Sequence, residues 1–352
     1  MRSSLGLLAF SILAVACGGG SPPPAVEPPT VAEPGPIAPA PEPPAPPPAA
    51  PAPTPEELKA AEEKKKLQQD FDKLEADKQA ELARLTPELK KATAALVTKA
   101  YPSLKAGVTA ALAGGHRRPE HAQRDAQRHP YETLEVFGIK PNHTVLEYGP
   151  GEGYWTELLA PVLAKNGKLL VTMTDPNGSK EQRPTLYALR TKYFLDKLPE
   201  VYGKIEPVVI DSKAPKLPEN KADVIIVSRS LHGMYNNKSL ATWLGEFHRA
   251  LKPNGALAIE QHRAAPGKSP DETSKHGYLA EAFVIEQIEA AGFKLATKSE
   301  VNANPKDTKD YPEGVWSLPP TLREGEKDRA KYVAIGESDR MTLRFTKVAP
   351  KK

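Results

Sequence analysis

An α/β domain built on an open, mostly parallel sheet is the fold class that this 352-residue sequence predicts. Three observations carry the prediction. Short apolar, β-branched runs at 145–146, 168–173, 206–210, 222–227 and 256–260 alternate with segments whose apolar residues recur at helical spacing. Turn residues close these runs, among them Gly-Pro-Gly, Asp175-Pro176 and Asn254-Gly255. The first run leads into Val145-Leu-Glu-Tyr-Gly-Pro-Gly-Glu-Gly153 and then into helical Tyr-Trp-Thr-Glu-Leu-Leu-Ala-Pro-Val-Leu. Strand, glycine loop and helix in that order place free N–H groups and closely approachable backbone at one sheet edge.

The glycine spacing narrows what that edge accepts. A dinucleotide fingerprint needs Gly-x-Gly-x-x-Gly, whereas here the pattern is Gly149-x-Gly151-x-Gly153, with Glu147 two residues before the first glycine. This resembles motif I of the class I S-adenosylmethionine (SAM)-dependent methyltransferases. The resemblance implies a glycine turn under the methionine end of SAM, held in part by Glu147. A tight strand-to-helix turn without a ligand is the alternative reading of the loop alone.

Ahead of the domain, the chain reads as an export and tethering apparatus. Arg2 precedes an apolar stretch at 5–16, too short to span a bilayer but fitting the core of a signal peptide. Leu13-Ala14-Val15-Ala16-Cys17 resembles a bacterial lipobox, which implies lipid on Cys17 and a signal segment of 1–17. The expectation is an exported, membrane-anchored lipoprotein, on the outer membrane where the cell has one. Cys17 is the one cysteine in the chain, so neither an internal disulfide nor a thiolate metal cluster is expected. Residues 18–55, rich in proline and alanine, read as an extended tether. Residues 56–112 read as a helical stalk or docked cap, in which Thr86-Pro87 restarts the helix and Pro102 breaks it. The domain itself is expected over 113–348. With 48 basic and 44 acidic residues, nothing in the charge points to nucleic acid.

Within the domain, the resemblance orders the elements across 131–299. It implies a Rossmann-like, seven-stranded sheet whose last strand, 341–346, is antiparallel. The methyltransferase pattern places a ribose-binding acid at the end of strand 2, but this chain has Met173 there, and the carboxylate follows as Asp175. Asp211, after strand 3, is the expected adenine-edge residue. Asp223 reads as structural, and Leu-Lys-Pro-Asn-Gly255 as the turn before strand 5. Arg124, Asp125 and Arg128 read as a charged helix beside the cofactor mouth or as a solvated face with internal pairs. Further stretches resemble an uncharacterised bacterial branch of often exported methyltransferases. They are Leu231-His232, Glu260-Gln261-His262-Arg263, residues 302–310 and Asp339-Arg340-Met341.

Open α/β sheets bind ligands beyond the carboxyl ends of their strands. Ser228-Arg229-Ser230-Leu231-His232-Gly233-Met234-Tyr235 and Glu260-Gln261-His262-Arg263 occupy those ends after strands 4 and 5. Methyl transfer needs alignment above all, and a base only when the nucleophile sheds a proton. His232 is the first candidate base, His262 the second, and Tyr235 a candidate for orienting substrate. The histidines and Glu260 match no metal-ligand spacing, so no metal is expected. Residues 302–339, with Trp316, Arg323, Arg329 and Tyr332, read as a substrate-specifying lid. The expected function is therefore SAM-dependent methyl transfer to a small or envelope-associated substrate. The alternative is a lipoprotein that uses the fold as a binding or scaffold module without turnover.

Overall fold

Seven strands form one sheet in the computed structural model, which describes residues 35, 53–211 and 214–348. They are β1 (Thr144–Tyr148), β2 (Lys168–Met173), β3 (Glu206–Val209), β4 (Ala222–Ser228), β5 (Leu251–His262), β6 (Phe293–Ser299) and β7 (Arg340–Lys347). Their order across the sheet is β3-β2-β1-β4-β5-β7-β6. Neighbours pair in parallel from β3 through β5, and β7 lies antiparallel between β5 and β6. The strand order reverses at β1, which has β2 on one side and β4 on the other, so the crevice of the fold opens there.

The continuous apolar character of β1, β2 and β4 follows from burial on both faces. Successive side chains point to opposite sides. Val145, Val171, Val224 and Ile226 join one core with Leu158 and Leu159 of the helix Tyr154–Leu163. Leu146, Leu170, Ile225 and Val227 join the other with Trp243 and Phe247 of the helix Leu240–Ala250. Ile226 is completely buried, and its truncation to alanine should cost about 2–5 kcal/mol. β5 starts earlier than expected. The Leu-Lys-Pro-Asn-Gly stretch is a bulge within the strand, with a register shift opposite Ala222 and Val224 and Asn254 at φ 63°.

The chain divides into Met1–Pro53 and Thr54–Lys352. The expected signal segment and Cys17 lie outside the described residues, as does the tether apart from Gly35 and residues 53–55. The helix Pro55–Arg84 starts at a capping box, in which the Thr54 hydroxyl accepts from the Glu57 N–H and the Glu57 carboxylate accepts from the Thr54 N–H. Its sparse stripe of Leu67, Phe71 and Leu74 packs on Leu186, Leu189 and Tyr193 of the helix Arg183–Asp196. Thr86 caps the next helix, Pro87–Ala94, as the Thr-Pro signal suggested. At the far end of the first helix, Glu81 pairs with Lys197 at 2.8 Å. Lys197 also reaches Glu157 at 3.6 Å, and the completely buried Glu157 carboxylate meets His121 Nδ1 at 2.9 Å and accepts from the Arg118 N–H. The N-terminal helix is thus a docked cap tied to the helix that follows the glycine loop.

Candidate cofactor and acceptor site

β1 runs from both cores into the glycine loop. Gly149 and Gly151 hold φ of 55° and 61°, in the left-handed region that favours glycine. A Cβ built on either one would point into open space. That space is a cradle a side chain would fill, so an incoming group can lie directly on the backbone. Gly153 differs. It caps the helix Tyr154–Leu163 at φ 87°, and a Cβ there would run into the Phe194 ring, so packing alone requires this glycine. The Gly149 N–H donates to Thr172 Oγ1 at 2.9 Å, fastening the loop to β2.

Glu147 lies beneath the loop and is buried, with one oxygen accepting from Thr156 Oγ1 at 2.7 Å. Burial pushes its carboxyl up to about 7, opposed by the Thr156 hydrogen bond and the charge of Arg229. Met173 ends β2 as an apolar side chain only 8% exposed. Asp175 is exposed two residues later, and its Oδ1 accepts from the Asn177 N–H at 2.8 Å. Asp211 is exposed beyond β3, and the adjacent Ser212 lies outside the described residues. Glu147, Gly149, Gly151, Asp175 and Asp211 therefore all stand at the carboxyl edge of β1, β2 and β3. The open cradle and buried carboxyl fit the methionine end of SAM, whereas Met173 offers nothing to a ribose.

On the other side of β1, the ends of β4 and β5 bring His232 and His262 together, with ring centroids 6.0 Å apart. Trp316, from the 302–339 segment, closes on His232 at 5.9 Å, and Tyr278 lies 6.3 Å from His262. That segment is anchored by buried Asn302, Tyr311, Leu318 and Tyr332. Burial lowers both histidines, His232 to about 4 and His262 well below its ordinary value, so both are neutral at pH 7.

Their hydrogen bonds set different roles. The Gln261 side-chain nitrogen donates to the Gly277 carbonyl at 2.9 Å, which fixes the amide orientation. The same nitrogen lies 3.3 Å from His232 Nδ1, making Nδ1 the acceptor. Neutral His232 then carries its proton on Nε2 and presents a donor rather than a base. His262 Nδ1 meets Ser338 Oγ at 2.6 Å; with Nδ1–H donating there, Nε2 is free to accept a proton. The Tyr235 hydroxyl donates to Asp271 at 2.6 Å and its ring packs on Phe283, so its polar end is already engaged outside the histidine pair.

Behind these residues lies a charge network that local sequence did not reveal. Glu337 receives Arg124 at 2.7 Å, Arg128 at 3.0 Å and Arg340 at 2.8 Å. Burial works against its charge, but the surrounding arginines hold its carboxyl low. Arg340 Nε also meets the buried Glu260 at 2.7 Å, and Ser228 Oγ donates to that same carboxylate. Trp155 Nε1 donates to Ser228 at 3.3 Å, joining the glycine-loop helix to the ends of β4 and β5. Arg128 lies over the Tyr154 ring at 4.3 Å. Asp125 turns the other way, to Arg117 and to the Tyr154 hydroxyl. The charged helix of the sequence is therefore neither solvated nor internally paired. Among the described residues no group of three or more His, Cys, Asp or Glu side chains could hold a metal.

Comparison with known proteins agrees with this geometry. A methyltransferase-domain family model matches residues 116–297, more than half of the chain. Over 128 residues the chain is 28% identical to a ubiquinone/menaquinone biosynthesis C-methyltransferase of Hydrogenovibrio crunogenus, covering 36% of this chain and 44% of that protein. A protein of the same description from Ectopseudomonas mendocina is 26% identical over 127 residues, with the same coverage. The chain thus spans less than half the length of the curated relatives it matches. A SAM-dependent methyltransferase structure from Aquifex aeolicus shares 20% identity at a TM-score of 0.43, covering 64% of this chain and 93% of that one. The chain belongs to the methyltransferase-domain family, that of the class I SAM-dependent methyltransferases.

Proposed function

We propose that this protein transfers a methyl group from SAM to a small or envelope-associated acceptor held between the ends of β4 and β5 and the 302–339 segment. The observation that carries the reading is the open cradle over Gly149 and Gly151. It lies on the β1 edge that also leads, through Ser228 and Glu260, to the paired histidines. Gly149, Gly151 and Glu147 would hold the methionine end of the cofactor, with Asp175 and Asp211 toward its nucleoside. When bound, SAM supplies a methyl group on a positively charged sulfur that leaves readily.

The protein's own contribution is alignment and exclusion of water, which can supply several kcal/mol of the barrier reduction. His232 would orient the acceptor through Nε2–H. The curated relatives are C-methyltransferases, and methylating a carbon generally releases a proton. His262 Nε2, neutral at pH 7, would receive it. Trp316 would cover the acceptor from the side of the long segment.

Met173 in the ribose position favours a second reading, a binding or scaffold module of the same fold without turnover. Calorimetry with SAM separates the readings in stages. No heat of binding at millimolar SAM would remove the enzyme reading, and binding together with methyl transfer to an envelope extract would remove the scaffold. We further propose that lipid on Cys17 anchors the domain at a membrane. Among the described residues no helix is long and apolar enough to cross one.

A further inference from the structure

The ion-paired carboxylates behind the histidine pair leave one guanidinium without an ion pair. Arg229 follows β4 in the left-handed conformation, φ 55°, with its N–H donating to the Glu260 carbonyl at 2.6 Å. Its Nε is buried without a hydrogen-bond partner, and among the described residues its side chain forms no ion pair. Glu337 is occupied by Arg124, Arg128 and Arg340, and Glu260 by Arg340 and Ser228. The guanidinium groups of Arg124, Arg128, Arg229 and Arg340 are thus grouped about two carboxylates, while the nearby Glu147 is buried and held by the Thr156 hydroxyl. The cation without an ion pair of its own is Arg229, whose charge is felt by Glu260 and Glu337 and also by Glu147, His232 and His262.

Protein surrounds Arg229 closely enough that desolvation lowers its pKa, while the residue as a whole is half-buried rather than sealed off. A buried cation is costly unless paired, and Arg229 lies near enough to His232, whose Nε2 carries the proton, for its charge to act on that ring. Arg340 and Arg128 differ in being engaged by Glu337; the terminal nitrogens of Arg128 also lack hydrogen-bond partners, but its guanidinium is covered by the Tyr154 ring at 4.3 Å.

We infer that the acceptor carries an oxyanion group, a carboxylate or a phosphate, received by the Arg229 guanidinium together with the His232 Nε2–H. The inference rests on the methyltransferase reading and gives its substrate class. A planar guanidinium matches such a group with two parallel hydrogen bonds. The bound anion would also restore charge balance in the arginine network. It would set the rest of the acceptor between Trp316 and His262, with its nucleophilic atom toward the glycine cradle.

The test titrates the full chain with benzoate and, separately, with inorganic phosphate, following Trp316 fluorescence and calorimetry, with and without saturating S-adenosylhomocysteine (SAH). At least one probe should bind wild type with SAH in place, and bind about tenfold or more weaker to Arg229→Met. SAH affinity of the variant should stay within about twofold of wild type, and the preferred probe tells carboxylate from phosphate. Arg229→Lys keeps the charge without the fork; should the methionine variant fail to fold, it is expected to lose about threefold or more in probe affinity. Equal probe affinity in wild type and the folded variant would overturn the inference. So would displacement of the probe by SAH, which would assign the arginine to the cofactor. An absence of SAH binding would bring down the methyltransferase reading, while Arg229-dependent probe binding would still establish the oxyanion site.

Discussion

Replacing Glu147 by glutamine should change how stability depends on pH, in a direction and size set by burial. An unfolded glutamate titrates near 4.5, and the buried carboxyl is pushed up to about 7. The folded state therefore holds its proton to a higher pH than the unfolded state. The carboxyl imposes no penalty below the unfolded pKa, and stability falls as pH rises through the window between the two values. At about 1.4 kcal/mol per unit, the full penalty above pH 8 is roughly 3 kcal/mol. Glutamine keeps the shape and can still hydrogen-bond Thr156, but it carries no proton to lose. Urea unfolding of wild type and Glu147→Gln at pH 5 and pH 8.5 cancels every other titration in the difference. The variant should gain on wild type by about 2–3 kcal/mol between the two conditions. Parallel stability profiles would refute the reasoning, since they would mean that Glu147 is ionised and compensated where it lies.

The remaining expectations test other parts of the structure. His232 has its folded pKa depressed to about 4, so its imidazole resonances should stay in the neutral form down to about pH 5, and the group should cost stability as pH falls below the ordinary histidine value near 6.5. Titration of its ring near pH 6.5 would contradict the buried pair. Lys197→Met should destabilise the protein by about 1–3 kcal/mol, because it removes the cation shared by Glu157 and Glu81 and leaves them only His121 and Arg117, and Arg84, respectively; urea unfolding measures it, and a change below about 0.5 kcal/mol would show that the N-terminal cap is loosely held. Wild-type protein should fractionate with membranes and label with palmitate, and Cys17→Ser should do neither; a wild type found soluble in the cytoplasm would overturn the anchoring proposal.

The middle of the sheet was legible because β1, β2 and β4 are buried on both faces, which writes them as apolar runs bounded by turn residues, whereas the edge strands β3 and β6 are largely exposed. The glycine loop was legible for a related reason, since its signal is contiguous from Glu147 to Gly153. β5 began early because a bulge at Asn254 looks, locally, like a turn. The arginine network was not legible. Arg128 and Glu337 stand 209 positions apart, and only the fold brings them together. Nor could sequence assign protons. His232 is a donor because the Gly277 carbonyl fixes the Gln261 amide beside it. The Tyr235 hydroxyl lies three positions on from a site residue yet is engaged by Asp271. Trp316 reached the site through an ordered segment whose length and aromatic content were the signals that marked it.

The central claim, that the glycine loop is a cradle for SAM and not merely a turn, is tested most directly by SAH calorimetry on wild type and Gly151→Val. A Cβ at Gly151 meets no protein atom in the structure, so the variant's cost in the free protein comes chiefly from holding a β-branched residue at a positive φ, about 1–3 kcal/mol. The ligand, by contrast, would meet the added side chain directly. Wild type should bind SAH, and a folded Gly151→Val should bind it about a hundredfold more weakly or not at all; equal affinity in the two proteins would show that nothing lies on the loop.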